Sequence, residues 1–430
     1  MELHSMPVGP LRGTARVPGD KSISHRAVMF GAIAEGRSWI HGFLPANDCQ
    51  ATVRCTRALG VTIEEHSPTE LTVQGVGLHG LQEPTNVLDC GGSGTTMRLL
   101  AGLLAGQPFY SLLSGNRGLC RRPMDRVAAP LQQMGATVLG RQDDRLPPLT
   151  IRGGNLRGIE YDLSVASAQI KSAVLLAGLY ADRPSTVHEP GPARDHTERL
   201  FAAQGVSLRR QGATVTVTPP DRPLDPLNIT IPGDFSSAAF LLVTACLVPG
   251  SDVTLEGIGV NETRTGLLDI LAAMGADIHV ARRRESGGEP LADVTARYSP
   301  DLRAVTIGGD LVPRAIDEFP LVALLAAHAV GTTTVRDAAE LRFKESDRVA
   351  AVARELHRLG VRVEEHDDGF TISGPVRLQG TRVDSHGDHR LAMMLAIAGL
   401  NAEGETRVAG ASCIADSFPG FWATINLLRG

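Results

Sequence analysis

The sequence predicts an α/β chain made of small repeated units set in two lobes. Helix-like segments ending in glycine recur at a near-constant interval. Each gives way to a short alternating strand, and a longer string occurs once in each half of the chain.

The helix ends are Ala58-Leu59-Gly60-Val61, Gln133-Met134-Gly135-Ala136, Ala203-Gln204-Gly205-Val206, Ala273-Met274-Gly275-Ala276 and Arg358-Leu359-Gly360-Val361. Glycine suits a helix C-terminus, where the backbone turns to positive φ. The glycines are 75, 70, 70 and 85 residues apart, and the long interval fits a polar insertion around residues 282–297. A further step of 70 reaches Gly430 after Asn426-Leu427-Leu428-Arg429, which reads as a sixth helix end whose strand comes from the N-terminus. After each glycine the apolar period falls to two, as in Val61-Thr62-Ile63 and Leu71-Thr72-Val73, or Val361-Arg362-Val363 and Phe370-Thr371-Ile372. Units of this length exceed ordinary solenoid repeats, so they read as small α/β subdomains.

The second repeat divides the chain. Val17-Pro18-Gly19-Asp20-Lys21-Ser22 returns as Ile231-Pro232-Gly233-Asp234-Phe235-Ser236, and a proline-rich stretch from Pro219 to Pro226 reads as the boundary. Pro-Gly-Asp-x-Ser is a turn into a capped helix and is therefore scaffold. Only the first copy carries Lys21.

Composition narrows the function classes. At 430 residues and 45.5 kDa, with 43% apolar residues, the chain is long enough for two or three domains with large cores. A net charge of −5 and 4% aromatic residues give neither a basic field nor a stacking platform, so no nucleic-acid partner is expected. The longest apolar runs, near residues 173–181 and 240–248, are too short to span a membrane, and the first residues lack signal-peptide features. A cytoplasmic protein with no membrane partner is expected. The six scattered cysteines, with no CxxC pair, read as reduced thiols rather than a disulfide or metal framework. Of 42 basic residues only Lys21, Lys171 and Lys344 are lysines, and each falls inside a motif.

Those motifs gather cations at helix starts. Lys21, Ser22 and Arg26 open one helix, with Ser22 and Arg26 on one face, which suits an anion or an ordinary capped surface helix equally. Gly91-Gly92-Ser93-Gly94-Thr95-Thr96-Met97-Arg98 follows a strand; it lacks Gly-Lys-Ser/Thr and so is not a phosphate-binding Walker loop. Arg121-Arg122-Pro123-Met124 pairs two guanidiniums. Ser167-Ala168-Gln169-Ile170-Lys171-Ser172 confines polar groups to the first turn of an apolar helix, where the amide and the lysine suit an anionic, hydroxylated ligand. In Arg342-Phe343-Lys344-Glu345-Ser346-Asp347-Arg348 a helix would set Lys344 and Arg348 as like charges four apart, reconciled by a bound anion or by Glu345 and Asp347. Asp317 precedes an apolar helix as either cap or proton carrier. Gly387-Asp388-His389-Arg390 puts Arg390 at a helix start, against the dipole unless an anion sits there. Together these point to a small substrate, or two, with phosphate and carboxylate groups.

In combination and in this order, PGDKSISHR, GSGTTMR, RRPM, SAQIKSA, RFKESDR and GDHR resemble the 5-enolpyruvylshikimate-3-phosphate synthase family across essentially the whole chain. The resemblance implies a two-lobed enolpyruvyl transferase-like fold, an inside-out α/β barrel in which each lobe holds three βαβαββ units. Residues 21–233 would form the first lobe and residues 1–20 plus 234–430 the second, with the active site in the cleft between them. It implies transfer of the enolpyruvyl group of phosphoenolpyruvate to the 5-hydroxyl of shikimate 3-phosphate, with release of phosphate, no metal or organic cofactor, a role in aromatic amino-acid synthesis, and a monomer.

Carried over motif by motif, the shikimate 3-phosphate set is Lys21, Ser22, Arg26, Ser167, Gln169, Asp317 and Lys344. The phosphoenolpyruvate set is Lys21, Gly94, Arg122, Gln169, Arg348 and Arg390, and the catalytic groups are Asp317, Glu345 and Lys21. Arg194 is a further candidate. Three departures stand out: Gly92-Ser93-Gly94 replaces Asn-Ala-Gly, Ala168 replaces a serine of some relatives, and Asp416 sits where some place a lysine. The resemblance also puts glyphosate in the phosphoenolpyruvate site, where Gly94, lacking a side chain, leaves room. Two alternatives remain at this point: a UDP-N-acetylglucosamine enolpyruvyl transferase, for which Cys120 stands unusually near Arg122, and a non-catalytic anion-binding repeat protein.

Overall fold

The computed structural model describes residues 2–429. The chain forms two compact units: one takes Gly19–Pro232 and the short piece Glu285–Glu289, the other takes the rest. Each has its own hydrophobic core.

In the Gly19–Pro232 unit the same plan is used three times. Strand, helix, strand, helix and a closing strand pair follow in order, and the four strands pair as first, second, fourth, third. One sheet runs Leu88–Asp89, Tyr110–Ser114, Leu146–Arg152, Thr137–Gly140, and another runs Glu160–Asp162, Ser185–His188, Thr214–Val217, Leu208–Gln211. In each the first pair is parallel and the others antiparallel. In the third sheet the first strand is supplied from the far end of the unit, where Asn228–Thr230 lies parallel to Glu35–His41.

The other unit closes in a similar way with its N-terminal residues. Arg12–Ala15 pairs parallel with Asp252–Gly259, and Glu2–Ser5 pairs antiparallel with Thr406–Ala409. The expected strand for the sixth repeat does come from the N-terminus, and that repeat has a three-stranded sheet. Its last helix is Phe421–Arg429; the expected terminal Gly430 lies outside the described residues. Gly60, Gly135, Gly205, Gly275 and Gly360 all take positive φ, as helix-ending glycines do.

Three helices in each unit are buried along most of their length: Lys21–Ile33, Gly94–Ala105 and Ala168–Gly178 in one, Phe235–Leu247, Phe319–His328 and His389–Leu400 in the other. Their near-continuous small and apolar sequences follow from burial on all sides. Helices Gly94–Ala105 and Ala168–Gly178 approach so closely that a Cβ on Gly102 would lie 2.3 Å from the carbonyl oxygen of Ala173. With no side chains to expose, these helices carry their chemistry at their first turns.

One expectation needs correction. The Pro219–Pro226 stretch is not the boundary, because Leu224 and Leu227 are buried and their carbonyls accept from the backbone of Glu35 and Trp39. The division falls at Pro232. The extra residues of the long interval, expected as a polar insertion around residues 282–297, lengthen a strand pair, Asp277–Ser286 and Glu289–Arg297. Among the described residues no helix is long and apolar enough to cross a membrane.

Candidate functional site

Most motif residues lie at or just before helix starts, where unpaired backbone N–H groups and the helix dipole favour anions. In the Gly19–Pro232 unit Asp20 caps the first helix, accepting from the Ile23 N–H at 2.9 Å; Asp234 does the same for Ser237 at 3.0 Å in the repeat. The shared Asp is thus scaffold. Lys21, the first helical residue, places its ammonium 2.5 Å from Asp48.

Arg26 is almost fully buried. It donates through Nε to Thr197 Oγ1 and through Nη2 to Ser172 Oγ, both at 2.8 Å, and through Nη1 to the Ser22 carbonyl at 3.0 Å. Three of its five N–H groups are held by neutral protein oxygens, which fixes the fork. Burial pushes its pKa down to about 10, against the pull of Glu198, Asp20 and Glu289.

Gly94 begins its helix behind Ser93, whose hydroxyl caps Thr96 at 3.0 Å. Ser93 therefore serves the helix. Arg98 donates to Gln169 Oε1 at 2.5 Å, while Gln169 donates to Thr95 Oγ1 at 2.9 Å. The amide is thus held between the second and third helix starts. Arg122 lies on the same side as Arg98: a Cβ on Gly94 would be 3.4 Å from Arg122 Nη1 and 2.9 Å from Arg98 Nη1. The room expected beside Gly94 is therefore bounded by two guanidiniums. Arg121 is exposed, and Arg194 is half-buried. Ser167 precedes its helix without capping it, which leaves the hydroxyl for other work.

Lys171 departs from its expected place beside a ligand. Its ammonium has no exposed surface and lies 2.6 Å from Glu198 and 2.8 Å from Glu189. It is a buried counter-ion of the scaffold.

In the other unit Asp317 is not a helix cap; helix Phe319–His328 starts beyond Glu318 without a side-chain cap. Asp317 Oδ1 lies 3.3 Å from Arg348, and Oδ2 lies 3.4 Å from Arg390 and 3.8 Å from Arg264. Arg348 is buried, bonded through Nε to Asp388 at 2.8 Å and through Nη2 to Glu345 at 2.7 Å. Burial opposes its charge, but Asp388, Glu345 and Asp317 more than compensate and raise its pKa; burial likewise works against ionised Asp388, and Arg348 holds its pKa low nonetheless. Asp388 also caps helix His389–Leu400, accepting from Arg390 N at 2.9 Å.

The helical spacing expected for Lys344 and Arg348 does not occur. Lys344 is extended, and the helix begins at Arg348 behind Asp347, which caps Ala350 at 3.1 Å. Lys344 is half-buried and Glu345 lies towards solvent. Asp416 ends the turn Ala411–Asp416 and is half-buried.

Asp317, Glu345, Arg348 and Arg390 thus form one cluster. Lys21, Ser22, Arg26, Gly94, Arg122, Ser167 and Gln169 sit at the helix starts of the other unit. Sequence reasoning missed Asp48, Thr197, Arg264 and the ion-pairing of Asp388. Asp388 carried a visible signal, an Asp immediately before a helix; the others carried none.

Comparison with known proteins identifies the family. A family model described as EPSP synthase (3-phosphoshikimate 1-carboxyvinyltransferase) matches residues 6–425. The 3-phosphoshikimate 1-carboxyvinyltransferase of Desulforudis audaxviator is 55% identical over 429 residues, covering all of both chains. That of Citrifermentans bemidjiense is 53% identical over 424 residues, 99% of this chain and 97% of the relative. Among solved structures, an EPSP synthase from Acinetobacter baumannii matches with a TM-score of 0.90 and 44% identity, over 100% of this chain and 98% of that one. The enolpyruvyl transferase NikO from Streptomyces tendae, at 18% identity and a TM-score of 0.82, shares the fold. Neither alternative reading, the UDP-N-acetylglucosamine transferase or the non-catalytic repeat protein, is favoured by these matches. The fold is that of the enolpyruvyl transferases, and the chain belongs to the EPSP synthase family, the 3-phosphoshikimate 1-carboxyvinyltransferases.

Proposed function

We propose that the two groups of residues serve one reaction, transfer of the enolpyruvyl group of phosphoenolpyruvate to the 5-hydroxyl of shikimate 3-phosphate, and that they divide the work as follows. Lys21, Ser22, Arg26, Ser167, Gln169, Asp317 and Lys344 hold shikimate 3-phosphate. Lys21, Gly94, Arg122, Gln169, Arg348 and Arg390 hold phosphoenolpyruvate. The 5-hydroxyl oxygen attacks C2 of phosphoenolpyruvate while Asp317 takes its proton. Glu345, with Lys21, delivers a proton to the methylene carbon, which becomes a methyl group, and a tetrahedral adduct results. Loss of a proton from that methyl group re-forms the double bond as the C2–O bond to phosphate breaks, releasing phosphate. Lysine suits position 21 because an ammonium gives up a proton where a guanidinium does not. The chain acts as a monomer in the cytoplasm, without nucleic-acid or membrane partners.

The observation that carries this reading is the cluster itself. Two carboxylates, Asp317 and Glu345, are joined by Arg348, and Arg390 stands on the second oxygen of Asp317. Proton carriers and anion-binding groups thus occur at contact distance, the arrangement that acid–base chemistry on anionic substrates needs. The test is phosphate release with both substrates and with each omitted in turn, repeated for Asp317→Ala. Release requiring both substrates, and a loss of about 10²-fold or more in kcat on removing Asp317, is expected. Undiminished turnover by Asp317→Ala would refute the assigned role.

A further inference from the structure

Arg264 is a buried cation in the turn before helix Gly266–Ala273, and none of the assigned roles uses it. Its backbone is set by Asn261, whose Oδ1 accepts from Thr263 N at 3.0 Å and Thr263 Oγ1 at 2.8 Å, while the Asn261 carbonyl accepts from Arg264 N at 2.8 Å. The guanidinium is 3% exposed. Nη2 donates to Ser236 Oγ at 2.6 Å and lies 3.7 Å from Asp234. Nη1 donates to Glu318 Oε1 at 3.3 Å and lies 3.8 Å from Asp317 Oδ2. Ser236 donates to the same Glu318 oxygen, so hydroxyl, guanidinium and carboxylate close a ring.

Arg390 reaches the same two carboxylates, Asp317 at 3.4 Å and Glu318 at 3.8 Å. The two arginines are not equivalent. Arg264 is tied down by hydrogen bonds to Ser236 and Glu318; Arg390 is more exposed, at 12%, and meets both carboxylates at longer range. Arg390 can therefore turn to an incoming anion while Arg264 stays. Without Arg264 that movement would leave adjacent carboxylates facing each other, one of them Glu318, whose Oε2 is buried with no hydrogen-bond partner. Buried charge without a partner is strongly unfavourable, so the carboxylates would retain Arg390.

We propose that Arg264 is a positioning residue: the standing counter-ion of Asp317 and Glu318, which orients the Asp317 carboxylate and frees Arg390 for substrate. This rests on the reading of Asp317 as proton acceptor. The other charged groups of this cluster are Arg348, which bonds Glu345 and Asp388, Asp234 beside Arg264, and His389, which acts on Asp388.

Steady-state kinetics of Arg264→Gln and Arg264→Lys across pH 5–9, with folding checked by circular dichroism, provide the test. Removing the cation makes Asp317 easier to protonate. Arg264→Gln is expected to lower kcat at least tenfold at pH 7, raise KM for phosphoenolpyruvate, and move the acidic limb of the kcat profile up by at least half a pH unit. Arg264→Lys, which keeps the charge, should bring the limb back towards its original position. A uniform loss at every pH, with the limb unmoved in both variants, would overturn the proposal as a mere packing effect. Should Arg264→Gln not fold, Ser236→Ala decides, since it removes the anchor and no charge. At least a threefold rise in KM for phosphoenolpyruvate supports the proposal, and unchanged kinetics overturn it. Lack of turnover in the unsubstituted chain would instead overturn the activity reading on which the proposal stands.

Discussion

Lys171 and Glu198 form an ion pair at 2.6 Å in which the lysine has no exposed surface. Glu189 completes the site at 2.8 Å on the ammonium, and Arg210 reaches both carboxylates from the solvent side, at 2.9 and 3.3 Å. Removing one partner of such a buried set leaves charge uncompensated, at a cost of about 3–5 kcal/mol. Lys171→Met is therefore expected to lower the midpoint of thermal unfolding by about 10 °C, measured by scanning calorimetry. A ligand-binding lysine would behave differently, with an unchanged midpoint and a raised KM for shikimate 3-phosphate. That second outcome would overturn the scaffold role.

The glycine at position 94 predicts a separable effect. Its φ is not in the left-handed region, so alanine is compatible with the backbone, but the new methyl would meet Arg98 Nη1 at 2.9 Å and Arg122 Nη1 at 3.4 Å. Both contacts are the ends of flexible side chains, so the guanidiniums move and the helix stays. Arg98 in turn holds Gln169. Weakening one charge-assisted hydrogen bond is worth about 1.5 kcal/mol, or roughly tenfold in affinity. Gly94→Ala is expected to raise KM for phosphoenolpyruvate by about that factor and the inhibition constant of glyphosate by more, with thermal stability nearly unchanged. Equal constants for the two proteins, from initial rates at varied inhibitor, would remove the idea that this edge of the site is tight.

The repeat plan was legible because its signals are local. A helix that ends in Gly360 followed by Val361 announces itself within a few residues, and so does Asp20 or Asp234 before a helix. The N-terminal strand of the sixth repeat could be expected because the last unit lacked one. Side-chain partnership was not legible. Arg26 bonds Thr197 and Arg348 bonds Asp388, across 171 and 40 residues, and no pattern in one sequence states which helix starts meet. Lys171 shows the same limit in reverse. Its place in the first turns of an apolar helix suggested a ligand, yet the two glutamates that bury it lie 18 and 27 residues further on. The extra length near residue 285 was legible from the glycine spacing, but not its form as a strand pair, because the outward residues of a half-exposed strand are polar.

His25 gives the last expectation, a pH dependence of stability. It lies in the first buried helix with no exposed surface, its Nδ1 2.6 Å from Thr52 Oγ1; Thr52 bonds Thr96 at 2.7 Å, and Thr96 donates to Ser93 Oγ at 2.8 Å. Burial pushes its pKa down to about 3, with nearby Asp48 only partly offsetting this. In the unfolded chain a histidine takes up a proton near pH 6.5. Between these values the unfolded state holds the extra proton, so stability falls as pH falls, with a slope of about 1.4 kcal/mol per pH unit. Buried His328, also shifted down, acts in the same direction, whereas Asp388, shifted down from the carboxylate range, makes its loss at lower pH. Comparing the protein with His25→Gln between pH 6.5 and 4.5 therefore isolates His25. Urea unfolding over that range should show the substituted protein losing stability less steeply by about one proton's worth, and parallel curves would show that His25 is protonated in the folded state.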